Sequence, residues 1–76
     1  MSYLINLNMA ELNKSYIVKK IRGDNIQLMN YGIYEGSPIV PLFRSMSGNI
    51  CAYKTHYGIF AIRNETAKDI RVQYEE

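Results

Sequence analysis

The chain has 76 residues, nine lysines and arginines against seven aspartates and glutamates, and a formal net charge of +2. A chain of this length forms one domain, residues 1–76, and leaves little room for a deep active-site cleft. The mild charge lacks the clustered basic bias that is typical of nucleic-acid-binding modules, so it favours no particular partner.

The cysteine content and the apolar runs indicate where the protein resides. One cysteine, Cys51, cannot form an internal disulfide, whereas small secreted domains usually depend on several. No apolar run approaches the roughly 18–20 residues of a membrane span, and the N-terminal residues lack the pattern of a signal peptide. We therefore expect a cytoplasmic protein that does not insert into the membrane.

The first half of the chain predicts a strand and a short helix. Residues 9–12 suit a single helical turn, and residues 16–21 are β-branched and aromatic, which favours a strand. Residues 24–31 predict a helix, because Asp24 can cap its first N–H groups. Gly32 stands where a left-handed residue ends a helix, and Ile33 can pack back over the last turn.

The second half predicts strands joined by tight turns. Residues 39–43 read as a strand in which Pro41 has no N–H to donate, so we expect an edge position or a bulge there. Residues 50–54 and 59–62 predict a hairpin that turns near residues 56–58. Asn64 can cap a helical turn, and residues 70–74 alternate with period two as the last strand.

Together these elements predict a mainly β fold of about five strands. One short helix lies between the first and second strands, and a helical turn precedes the last strand. Five short strands in a flat sheet would leave exposed edges, and closure removes them. We therefore expect a small barrel.

Two runs of residues resemble a known family. The first combines a leucine, a hydrophobic–glycine–hydrophobic step and a second glycine: Leu28, Tyr31-Gly32-Ile33 and Gly36. The second consists of residues 60–63 followed by Ala67, Ile70 and Val72. In this ordered combination the chain resembles FeoA, the small bacterial companion of the ferrous-iron transporter FeoB.

The resemblance implies an SH3-like barrel in which five residues are structural: Leu28, Gly32, Gly36, Ala61 and Ala67. It also implies a non-enzymatic accessory or regulatory protein of ferrous iron uptake, a transition-metal pathway, acting in the cytoplasm. The expected partner is the cytosolic GTPase region of FeoB, which would recruit the protein to the inner face of the cell membrane. The alternative is a stand-alone SH3-like module that binds a proline-containing peptide or nucleic acid.

Cys51 and His56 are the only cysteine and histidine, and they are weak candidates for chemistry. A reactive thiolate needs an electropositive setting and an orienting third group, and the sequence supplies neither. A structural metal site needs three or four protein ligands, and these two lack the usual ligand spacing. No phosphate loop of the form G-x-x-x-x-G-K-[ST] is present. We expect no catalytic residue, no cofactor and no metal site.

A small barrel binds partners through the loops and strand edges at its rim. The expected partner-contacting residues are Tyr34, Glu35, Arg44 with the rest of the 44–49 loop, His56 and Tyr57. The densest basic group, Lys19-Lys20 with Arg22, is interpreted as a solvated strand end, so no nucleic-acid partner is expected.

Overall fold

Six strands, two short helices and one 3-10 turn make up the computed structural model, which describes residues 3–75. The strands are β1 (Ile5–Asn6), β2 (Tyr16–Ile21), β3 (Pro38–Arg44), β4 (Ile50–Thr55), β5 (Gly58–Arg63) and β6 (Ile70–Tyr74). The helices are α1 (Ile26–Asn30) and α2 (Asn64–Ala67), and the 3-10 turn covers Leu7–Met9. The mainly β prediction is confirmed, with α1 and α2 at the two expected places.

The strands form one antiparallel sheet in the order β1-β6-β2-β3-β4-β5. The expected closure into a barrel is wrong, because β1 and β5 are the two edges of an open sheet. Closing the sheet would require β1 to pair with β5, and β1 has only two residues, both paired with β6. The sequence also predicts five strands where the structure has six, since a two-residue strand carries no alternation to detect.

The end of α1 follows the predicted geometry, whereas its start does not. Gly32 has φ +83, its N–H donates to the Met29 carbonyl at 3.0 Å, and the Ile33 N–H donates to the Leu28 carbonyl at 2.8 Å. These two bonds form a Schellman motif, which requires a left-handed residue after the helix. The predicted Asp24 cap is wrong: Asn25 precedes the helix, with no capping bond from its side chain.

The second predicted cap is also wrong, because Asn64 is the first residue of α2 and Arg63 precedes it. The Asn64 side-chain amide instead donates to the Gly48 carbonyl at 2.6 Å, which fastens the 45–49 loop to α2. The bulge expected at Pro41 is confirmed by a register shift between Pro41 and Phe43.

The core is built from one cluster of buried residues of the strands, both helices and the 3-10 turn. Buried residues alternate with exposed ones along the first part of β6, whereas in β4 three consecutive residues are buried. The fully buried side chains include Leu7, Val18, Ile33, Ile39, Tyr53, Ala67, Ile70 and Val72. Within residues 3–75, no helix combines the length and apolar character needed to cross a bilayer.

Candidate functional site

The end of α1 is fixed to the β4–β5 hairpin. The buried Thr55 hydroxyl donates to the Tyr31 carbonyl and accepts the Tyr57 N–H at 3.1 Å. The Tyr31 ring stacks on Phe60 with the ring centroids 4.8 Å apart. Gly32 lies so close to Thr55 that a Cβ there would stand 2.9 Å from its Oγ1. Hydrogen bonds and ring stacking therefore join α1 to the hairpin at one end of the molecule.

The turn that carries Tyr34 and Glu35 is ordered by Ser37. The Ser37 hydroxyl accepts the Tyr34 N–H at 3.0 Å and donates to the Tyr34 carbonyl at 2.7 Å. Gly36, with φ +94, donates its N–H to the Val18 carbonyl at 2.7 Å. These bonds hold Tyr34 and Glu35 exposed at the end of the molecule that also carries α1.

An apolar groove of about 570 Å³ lies between α1, the end of β2 and this turn. Leu28 and Ile33 are its buried apolar residues, while Ile26 is 75% and Met29 62% exposed. Its lining residues are Ile21, Gly23, Asp24, Asn25, Ile26, Leu28, Met29, Ile33, Tyr34 and Glu35. Asp24 and Glu35 are its charged residues, so the groove combines apolar surface with negative charge.

The structure brings together only part of the predicted partner-contacting surface. His56 and Tyr57 are exposed in the hairpin turn, and Tyr57 contacts the end of α1 at Gly32. Tyr34 follows Gly32 by two residues, so it lies within about 7 Å of that contact. The 45–49 loop lies at the opposite end of β4, roughly 17 Å away along six strand residues.

Arg44 has a structural contact that the sequence does not reveal. Its guanidinium donates to the Ala10 carbonyl at 2.8 Å and to the Asn8 carbonyl at 3.4 Å. Arg44 therefore holds the N-terminal 3-10 turn against the end of β3. The predicted contact residues therefore lie in two places, with Arg44 at one end of β4 and Tyr34 and His56 near the other.

The Cys51 and His56 side chains are kept apart. Cys51 is buried and His56 is exposed, and the four residues of β4 between them separate their Cα atoms by roughly 16 Å. In this geometry they cannot act as nucleophile and base or as two ligands of one metal ion. Among residues 3–75, no group of three or more histidine, cysteine, aspartate or glutamate residues could hold a metal ion.

The five residues expected to be structural have different environments. Leu28 and Ala67 are buried in the core, and Gly32 and Gly36 occupy left-handed backbone. Ala61 is exposed on β5, the edge strand, so it is not a core residue. Successive side chains of a strand point to opposite faces, and the next residue, Ile62, is buried, so Ala61 faces the solvent side of the sheet.

Sequence reasoning missed Ile26 and Met29, the most exposed apolar residues of α1. The signal was present: Leu28 and Tyr31 share one helix face at i, i+3 spacing, and Ile26 and Met29 share another. A five-residue helix on the surface of a sheet buries only one face. One of the two apolar faces therefore had to remain exposed.

Comparisons with known proteins assign the family. The family model described as FeoA domain matches residues 5–74. The chain belongs to the FeoA family. Its members are accessory proteins of iron uptake and are not known as enzymes. A comparison with curated proteins gives no match.

Solved structures of FeoA proteins share the fold of this chain. An FeoA-like protein from Clostridium acetobutylicum has a TM-score of 0.87 at 25% identity, over 100% of this chain and 92% of that one. The crystal structure of an iron uptake regulatory protein, FeoA, has a TM-score of 0.84 at 20% identity, over 96% of this chain and 99% of that one. FeoA from Chlorobium tepidum has a TM-score of 0.86 at 16% identity, over 95% of this chain and 71% of that one.

Proposed function

We propose that this protein is a non-enzymatic regulator of ferrous iron uptake that acts by binding the cytosolic GTPase region of FeoB. The FeoA domain match over residues 5–74 is the observation that carries the proposal. A structural neighbour described as an iron uptake regulatory protein supports it. The distance between buried Cys51 and exposed His56 supports the non-enzymatic part.

The groove beside α1 is the surface that best suits such a partner. Protein interfaces are built around apolar anchors with a polar rim. The groove offers the exposed apolar side chains of Ile26 and Met29, with Tyr34 at its edge and Asp24 and Glu35 as its charges. The complementary FeoB segment would present an apolar side chain flanked by lysine or arginine. Binding FeoB would recruit this cytoplasmic protein to the inner face of the membrane.

The groove is tested by the double substitution Ile26→Ser with Met29→Ser. Both side chains are more than half exposed, so the fold should be retained. We expect binding to the FeoB cytosolic region to weaken at least about tenfold, since apolar anchors carry most of an interface's free energy. Isothermal titration calorimetry with the purified FeoB region measures this change.

A matched control removes the same two side-chain types elsewhere. Met46 is fully exposed and Ile59 is 61% exposed, and both lie outside the groove lining. The Met46→Ser, Ile59→Ser variant should bind as the unchanged protein does. Equal weakening by both double variants would show that the groove is not the contact surface. Unchanged FeoB binding by both double variants would also show that the groove is not the contact surface.

A further inference from the structure

A second concave site lies away from the groove and is dominated by positive charge. This pocket, of about 450 Å³, is lined by Leu4, Lys20, Arg22, Lys68, Asp69 and Arg71. Four cations and one carboxylate give it a formal charge of +3, whereas the whole chain carries +2. Outside the pocket the chain is therefore net negative by one charge, and the basic character is concentrated at this one place.

The pairing of β2 with β6 assembles the pocket from distant parts of the chain. Lys20 stands opposite Arg71, and the buried pair Val18 and Val72 lies beside them. Opposite residues of an antiparallel pair project to the same face, so both cations lie on the outer face of the sheet. A register shift between Val18 and Lys20 allows this placement.

The turn after α2 brings the remaining charges to the same place. The Arg22 N–H donates to the Asp69 carbonyl at 2.7 Å, which joins the end of β2 to the segment before β6. Lys68 precedes Asp69 and lines the same pocket. Residues that follow β2 and residues that precede β6 therefore face one cavity.

Among the residues that the structure describes, no carboxylate forms an ion pair with the cations of this pocket. Within residues 3–75 the only ion pair is Lys14 with Glu11, which lies elsewhere. Asp69 lines the pocket without forming an ion pair with any of the four cations. Lys20 stands directly opposite Arg71, and like charges in that position destabilise an antiparallel pair. An anion bound between them would remove that repulsion.

We propose that this pocket binds a phosphate-bearing anion, with Lys20, Arg22, Lys68 and Arg71 as its ligands. Guanidinium groups match phosphate oxygens in a bidentate geometry, and ammonium groups add point charges. The volume is within the range of small-molecule sites. One phosphate monoester carries about −1.5 to −2 charges, which neutralises only part of +3. Anions with two phosphate groups therefore bind more tightly than those with one.

Two arms of one experiment distinguish a free phosphate compound from a lipid headgroup. In the first, sodium pyrophosphate is titrated into the labelled protein at constant ionic strength and amide shifts are followed by NMR. In the second, co-sedimentation is measured with phosphatidylcholine vesicles that contain or lack cardiolipin, a lipid with two phosphates. We expect binding in at least one of the two arms. In the first arm, we expect inorganic phosphate to bind more weakly than pyrophosphate.

The Lys20→Gln, Arg71→Gln variant tests whether the anion binds in the pocket. We expect its affinity to fall at least about tenfold, since two of four charged ligands are lost. The control Lys54→Gln, Arg63→Gln removes the same charge from exposed residues outside the pocket and should change affinity less than about twofold. Without ligand, the pocket variant should unfold at a higher temperature than the unchanged protein, because the opposed like charges are gone.

No binding in either arm would overturn the proposal, and so would equal losses in the pocket variant and its control. The FeoB assay is independent of this result. The pocket variant leaves the groove residues intact, so failure here and failure of the FeoB proposal are separately observable.

Discussion

Replacing Tyr53 with alanine is expected to lower the free energy of unfolding by about 3–5 kcal/mol, the range for truncating a large buried aromatic side chain. Tyr53 is fully buried near the centre of β4. A 76-residue domain has only about 4–11 kcal/mol in total, at roughly 0.05–0.15 kcal/mol per residue. Urea unfolding followed by circular dichroism measures the loss.

Tyr53→Phe is the matched control, and it should leave the stability unchanged or raise it by about 1 kcal/mol. The Tyr53 hydroxyl is buried and has no hydrogen-bond partner among residues 3–75. A buried polar group without a partner carries an uncompensated desolvation cost, which phenylalanine removes. A loss of more than about 1 kcal/mol in this variant would show that the hydroxyl has a partner.

The same pair of proteins should differ in alkaline solution. Burial, and then the nearby Cys51, raise the pKa of the Tyr53 phenol above its usual value near 10. Because the folded state retains this proton while the unfolded state releases it, stability falls as the pH rises above 10. Tyr53→Phe lacks this contribution, so its advantage should increase over the same pH range.

Gly32→Ala is expected to cost about 2–4 kcal/mol, which exceeds the cost at the other left-handed glycines. Part of the loss is the backbone, since a non-glycine residue at φ +83 costs roughly 1–2 kcal/mol. The rest is steric, because the new Cβ would stand 2.9 Å from Thr55 Oγ1 and 3.2 Å from Tyr57 Cγ. The substitution should also weaken FeoB binding, since it separates α1 from the hairpin. Chemical unfolding measures the first effect.

Gly23→Ala separates the two contributions. Gly23 has φ +86, almost the value at Gly32, and an added Cβ would meet no atom within 4 Å. This control should therefore lose only the backbone part, about 1–2 kcal/mol. Equal losses in the two variants would show that the closeness of Thr55 to Gly32 adds no steric cost to the alanine substitution.

Local chemistry made parts of the fold predictable from the sequence. The bounds of β2 and β6 agree with the predicted strands, because aromatic and β-branched residues and period-two alternation act over neighbouring residues. The left-handed conformation of Gly32 and the bulge at Pro41 were predictable for the same reason, since each follows from the chemistry of one residue. The caps at Asp24 and Asn64 failed because the helices begin later or earlier than the capping residues suggest.

The sites depended on non-local pairing and were harder to predict. Lys20 and Arg71 become neighbours only through the register of β2 with β6, which no single segment encodes. Arg44 is predicted at a partner surface, and the sequence does not reveal its hydrogen bond to the Ala10 carbonyl, which is far away along the chain. Whether the sheet closes into a barrel also depends on non-local pairing, because closure would require the edge strands β1 and β5 to pair.

We propose that this member of the FeoA family binds FeoB through the groove beside α1. Titrating the isotope-labelled protein with the cytosolic GTPase region of FeoB, with and without nucleotide, tests it by NMR. We expect shifts concentrated at Ile26, Met29, Tyr34 and Glu35, with smaller shifts at Tyr57. No shifts at saturating FeoB, or shifts confined to residues outside the groove, would contradict it.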